Sequence, residues 1–187
     1  YVPGAANLLA NRDRWHGYRD NVSEPFDPTR GALWPYFEHA QLKQCPEFID
    51  YLSSFEAGNG GYGYNNEYVG RDRRAYVATR LGARSHWFTD PTRTVMFTDA
   101  ATTLLTTHAV YVEYSFAEPP LFTFGPADPS IHFRHQATCS VAWLDAHVEL
   151  RQSTFTRANI YGVSEIQNHM MGIGWFGLGD NALFDRD

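Results

Sequence analysis

In the second half of the chain, apolar and polar side chains alternate with a period of two. The run "RTVMFTD" is short and apolar, and "HAVYVEYSF" puts Val110, Val112, Tyr114 and Phe116 on one face. Upstream, "YGYNNEYVG" alternates aromatic and polar positions. All three predict β-strands, and the proline-bearing segments "TDPTR", "AEPP" and "GPADPS" read as turns between strands. The stretch "RHQATCSVAWLDAHVEL" predicts a hairpin, with Cys139 to Leu144 outbound, Asp145-Ala146 as a two-residue turn and His147 to Arg151 returning. Its inward face would carry Cys139, Val141 and Trp143, then Val148 and Leu150. A type I′ turn needs φ > 0 at both central residues, so Asp-Ala there is strained by about 1 kcal/mol relative to Asp-Gly.

Earlier in the chain the period lengthens. "DPTRGALWPYFEHA" sets turn residues before Leu33, Trp34 and Phe37, which fits one or two helical turns. In "CPEFIDYLSSFEAGNGG", Pro46 occupies a tolerated first-turn position, Phe48, Leu52 and Phe55 line one face, and the glycines from Gly58 stop the run. This predicts a short amphipathic helix. The expected fold class is therefore α+β, an antiparallel sheet with short helices.

With 187 residues, 43% of them hydrophobic, the chain can bury one sizeable core, and no linker, repeat or charge block divides it. One domain, 1–187, is expected. The 13 Phe, 11 Tyr and 5 Trp favour sheet structure, because aromatics bury much area for little lost rotamer freedom.

A formal net charge of −6 with scattered basic residues excludes a phosphate-tracking surface, so nucleic acid is not an expected partner. No run approaches the roughly 20 apolar residues that cross a bilayer, and the opening "YVPGAANLLANRDRW" lacks a signal peptide layout. Cys45 and Cys139 are too far apart for a local metal knuckle. The count alone leaves a disulfide, worth about 4 kcal/mol by chain entropy, and two free thiols equally open.

Five segments then line up in order. "RGALWPYFEHAQLKQCPEF" ends in Cys-Pro, "GYGYNNEYVG" is an aromatic-Gly-aromatic-Asn strand, and "DPTRTVMFTDA" is a Thr-Val-apolar strand ending in Asp. "FRHQATCSVAWLDAHVEL" carries a His, nine further residues and then Asp, and "GIGWFGLGDNALFDRD" closes the chain. Together they resemble the prepilin-type processing-associated H-x9-DG family, relatives of type II secretion pseudopilins and type IV pilins, from about Phe26 to the C-terminus. Ala146 stands where the family motif has glycine, and the N-terminal pilin helix is not in this chain.

The resemblance implies the globular head of a bacterial, extracellular or periplasmic filament subunit with a pilin-type fold. Its partners would be copies of itself, other pilins or secretion-system components. It also implies a compartment that permits a Cys45–Cys139 disulfide.

Candidate chemistry is sparse. His135, Asp145 and His147 with Asp99 have the residue types of a two-His, one-carboxylate zinc or iron site. In the expected hairpin, however, His147 sits beside the turn and His135 before the first strand, so their side chains need not converge. A structural role is preferred for all four. In the tail, Asp180, Asn181 and Asp185 offer oxygen ligands that calcium could take, without the spacing of an EF-hand. No Gly-x-Ser-x-Gly elbow appears, and "GNGGYG" lacks the Lys-Ser/Thr ending of a P-loop, so no catalytic residue is assigned. A self-assembling structural subunit is the expected function. The alternatives are a glycan- or surface-binding adhesin using Trp15, Trp34, Trp87, Trp143 and Trp175, and a metal-dependent enzyme.

Overall fold

The computed structural model describes residues 12–36, 44–53, 56–70, 82–122 and 125–185. The strands, in chain order, are β1 Asp13–Arg14, β2 Gly17–Tyr18, β3 Tyr51–Leu52, β4 Tyr62–Tyr64, β5 Val95–Asp99, β6 Thr102–Leu105 and β7 Ala109–Val112. They continue with β8 Leu121–Phe122, β9 Gly125–Pro126, β10 Ile131–His132, β11 Thr138–Trp143, β12 Val148–Gln152 and β13 Ile173–Gly174. The single α-helix among the described residues, α1 Glu165–Met170, has six residues. The fold is therefore β-rich, and the expected α+β class with a pilin-type head is corrected on this point.

The missing helix explains the difference. Residues 46–58 do not wind into the amphipathic helix that Phe48 and Leu52 suggested. Phe48 is fully buried, but Leu52 is 48% exposed, so the two do not share an inward face. Asp50 takes φ 53°, a left-handed conformation that no helix accommodates, and Tyr51–Leu52 pair with β7 instead. Tyr51 stacks on Phe48 at 4.4 Å, and so segment 48–51 packs as an extended corner. A helix this short has little stability of its own, so strand pairing and ring packing decide. Leu33 and Trp34 fall at a 3-10 turn, Trp34–Tyr36, while Phe37 and Phe55 lie outside the described residues.

The largest sheet has the order β12-β11-β5-β4, antiparallel throughout. A second sheet has the order β3-β7-β6, with β3 parallel to β7. The expected strand "HAVYVEYSF" regularises only over Ala109–Val112. Beyond it the inward positions are Glu113, Ser115 and Ala117 rather than Tyr114 and Phe116. Glu113 accepts from Gly58 N–H at 3.2 Å, which gives that buried carboxylate a partner.

The main core gathers Val95, Ile131, Phe133, Cys139, Val141, Trp143, Trp175, Phe176 and Phe184. Burying each large side chain contributes about 1.5–3 kcal/mol. A second cluster of Cys45, Phe48, Ala101 and Ile173 packs under the rings of Tyr51, Tyr62 and Tyr111.

The hairpin forms as predicted in its outbound strand, where Cys139, Val141 and Trp143 are all buried. Its return strand is inverted. Val148 pairs with Ala142 and Leu150 with Ser140, on the outer face, and both are exposed, 66% and 62%. The turn also differs, for only Ala146 has positive φ (73°) and its N–H bonds Trp143 C=O at 2.9 Å. This is a three-residue loop, Leu144–Ala146, with one left-handed residue, and the extra residue shifts the face of the returning strand. The two-residue turn with both φ values positive occurs at Gln136–Ala137 (54° and 62°), closed by bonds between His135 and Thr138.

Candidate functional site

Asp99 ends β5 and is 1% exposed. A buried carboxylate needs compensation, and three groups within residues 134–140 supply it. Arg134 Nη2 donates to Asp99 Oδ1 at 2.6 Å, and Ser140 N–H donates to Oδ2 at 2.6 Å. His135 Nε2 lies 3.3 Å from the same Oδ2. The Arg134 side chain is as buried as its partner, so the pair is a desolvated ion pair rather than a surface contact.

Arg134 is shared further. Its Nη2 also donates to Gly61 C=O at 2.6 Å, and its Nε contacts Cys45 Sγ at 3.3 Å. Gly61 has φ 84°, and a Cβ there would stand 2.8 Å from the Phe48 ring and 3.1 Å from Arg134 Nη2. Glycine is thus required for the guanidinium to reach its carbonyl. Cys45 Sγ in turn lies 3.5 Å from His135 Nε2. Among the described residues, Cys45, Asp99 and His135 are the group whose metal-ligating atoms converge, all within 4.8 Å of one another.

Of the four motif residues, the structure brings together His135 and Asp99 and separates them from Asp145 and His147. The two histidines flank β11, whose six residues span roughly 17 Å. Asp145 Oδ1 instead meets His147 Nδ1 at 2.6 Å and His147 N–H at 3.2 Å. The His147 contact holds the Asp145 carboxyl below its usual range. The His147 ring stacks on Trp143 at 5.9 Å, and Asp145 N–H reaches Pro91 C=O at 3.2 Å, so this corner fastens the hairpin tip.

Cys45 and Cys139 are both buried free thiols, in separate core clusters. Burial pushes the Cys139 thiol far up. In the tail, Asp180 Oδ1 accepts from Ala182 N–H at 3.2 Å. Asn181 bridges Tyr68 and Leu121, its Oδ1 taken by Leu121 N–H at 3.0 Å. Of the tryptophans, Trp143 and Trp175 are fully buried and Trp15, Trp34 and Trp87 are half-buried, so they form no open stacking face.

Three participants escaped sequence reading. Arg134 sits beside His135 in "FRHQ", and a basic residue next to a motif histidine was the available signal. Cys45 stands out in the sequence as a disulfide half or a free thiol, with no spacing that links it to His135. Asn65, fully buried, donates to Val95 C=O at 2.9 Å and Phe184 C=O at 2.8 Å, tying the "YGYNN" segment to the "TVMF" strand and the "LFD" tail. The five segments that carry the resemblance therefore meet at two polar junctions, Asn65 and Asp99.

No family model, curated protein or solved structure matches the chain. Among the described residues, no helix is long and apolar enough to cross a membrane.

Proposed function

We propose that this chain is a structural head that assembles with copies of itself through the free edge of its four-stranded sheet, as part of a bacterial filament outside the cytoplasm. The observation that carries the reading is β12. Trp143 N–H bonds His147 C=O at 3.0 Å, so the hydrogen-bonded pairs of the hairpin fall at 143/147, 141/149 and 139/151. Val148, Leu150 and Gln152 then turn their backbone N–H and C=O groups away from β11. Among the described residues no strand pairs with that edge.

Monomeric proteins blunt such edges with lysine, proline or a covering loop. Here the edge strand carries the Glu149–Arg151 pair (2.7 Å) on one face and presents Val148 and Leu150, both apolar and more than half exposed, on the other. Strand addition from a neighbour satisfies the outward backbone groups and covers the two side chains. Two copies joined β12 to β12 close as a dimer. Joining β12 to a different edge, such as β3 with its exposed Leu52, propagates as a filament. The motif residues support the same reading, since Asp99 and His135 tie the turn before β11 to the end of β5, and Asp145 and His147 fasten the hairpin tip.

The test is a Leu150→Pro variant compared with the natural sequence by sedimentation velocity and negative-stain microscopy. Proline removes one outward donor at an edge position, where it is tolerated, and leaves the β11 pairing intact. The natural chain is expected to form oligomers that grow with concentration, and Leu150→Pro to stay monomeric with an unchanged circular dichroism spectrum. A natural chain that is monomeric at every concentration, or a variant that assembles equally well, would overturn the proposal.

A further inference from the structure

At the end of β5, the geometry points to a zinc site built from Cys45, Asp99 and His135, independent of the assembly reading. The three ligands come from distant parts of the chain, the loop at residue 45, the end of β5 and the turn before β11, yet their ligating atoms lie within 4.8 Å of one another.

The His135–Asp99 separation is long for a direct charge-assisted hydrogen bond. A charge-assisted N–H···O bond draws its atoms to about 2.7–2.9 Å. His135 Nε2 instead stands 3.3 Å from Asp99 Oδ2 and 3.5 Å from Cys45 Sγ. Zinc bonds of about 2.0–2.1 Å to nitrogen, 2.0–2.2 Å to oxygen and 2.3 Å to sulfur, set at tetrahedral angles, give N···O and N···S edges of about 3.4 and 3.6 Å. The two spacings from His135 match those edges, and the Cys45–Asp99 edge, within 4.8 Å, closes to about 3.6 Å around the ion.

A Cys-His-Asp relay is the competing reading, and the ring nitrogens argue against it. Such a relay needs the carboxylate on one imidazole nitrogen and the thiol on the other. Here both approach the same nitrogen, Nε2. With Nε2 unprotonated, a cation placed between it, the carboxylate and the sulfur is bound by all three.

The surroundings suit a dication. Arg134 occupies Asp99 Oδ1, leaving Oδ2 toward the histidine, and its Nε–H is directed at the sulfur. Ser140 N–H fixes the same carboxylate, so the ligand oxygen is already oriented. A thiolate, a carboxylate and one guanidinium sum to a single negative charge, which zinc reverses to a single positive charge. Mixed sulfur, nitrogen and oxygen donors select zinc over calcium or magnesium, which take oxygen alone. With three protein ligands the fourth position is open to water. The His135 side chain, 28% exposed, marks the side from which solvent reaches it.

The test uses the purified chain stripped with a chelator, then titrated with zinc against a chromophoric competitor and, separately, with cobalt(II). The expected result is one zinc per chain and a cobalt spectrum with a thiolate-to-metal charge-transfer band. Cys45→Ser abolishes that band, and His135→Gln, at a partly exposed position that tolerates the change, raises the dissociation constant at least about 100-fold. Circular dichroism confirms that each variant is folded. Substoichiometric zinc in the natural chain, a cobalt spectrum without the sulfur band, or full affinity retained in His135→Gln would each overturn the assignment.

Discussion

Replacing Ala146 by glycine stabilises the protein. Ala146 holds φ 73° at the hairpin tip, where an L-residue pays about 1–2 kcal/mol for the approach of its Cβ to the backbone. Its methyl group is exposed, so removing it forfeits no packing. Against that gain stands the greater freedom of glycine in the unfolded chain, about 0.5–1 kcal/mol. The net is about 0–1.5 kcal/mol in favour of Ala146→Gly, and its midpoint of about 0.75 kcal/mol raises Tm by about 1.5–3 °C for a chain of this size. The bond from residue 146 N–H to Trp143 C=O and the Asp145–His147 contact are retained. Urea unfolding followed by tryptophan fluorescence reads the change as a higher midpoint at constant slope. Ala142→Gly, within β11, is the control and loses stability for the same entropic reason. An unchanged or lowered midpoint in Ala146→Gly would refute the strain argument and the three-residue loop with it.

Other outcomes follow from the buried charges. Asp99→Ala leaves Arg134 buried without its counter-charge and costs about 3–5 kcal/mol, measured by the same urea titration; a loss below 1 kcal/mol would contradict the ion pair's role. His16 and His132 are each 5% exposed, and both are lowered from 6.5 to about 3, by burial first and then by neighbouring arginines. The unfolded chain therefore takes these protons first. Stability is whole above about pH 6.5 and falls toward pH 3 by about 1.4 kcal/mol per pH unit for each ring. His132→Gln removes its share, so an acid limb as steep as that of the natural chain would count against this assignment. Gly63→Ala places a Cβ 2.6 Å from the Phe116 carbonyl carbon and is expected to lower the urea midpoint sharply; an unaffected midpoint would show that the β4 contact can yield.

Period-two alternation located β5, β11 and the turn region after Trp143, because those strands have one face in the core and one outside. It failed where a single residue decides the face. One extra residue in the hairpin loop inverted β12, and Asp50 in a left-handed conformation turned an apparent helix into an extended corner. Helix α1 was legible but missed. "SEIQ" is a capping box, with Ser164 accepting from Gln167 N–H and Gln167 returning the bond to Ser164 N–H.

The candidate site was half legible. His135 and Asp99 stood out as motif residues and do meet. Asp145 and His147 stood out equally and form a separate latch at the other end of β11. Cys45 and Arg134 joined the cluster through contacts spanning 89 and 35 positions of sequence, and no spacing rule reaches across such distances.

Hydrogen exchange at the amides of Val148, Leu150 and Gln152 tests the assembly claim most directly, because these groups point away from β11 in the isolated chain. Exchange at low concentration is expected to be fast and to slow as concentration rises, while the amides of Glu149 and Arg151 stay protected throughout. Outward amides that exchange at the same rate at all concentrations would show that this edge pairs with nothing.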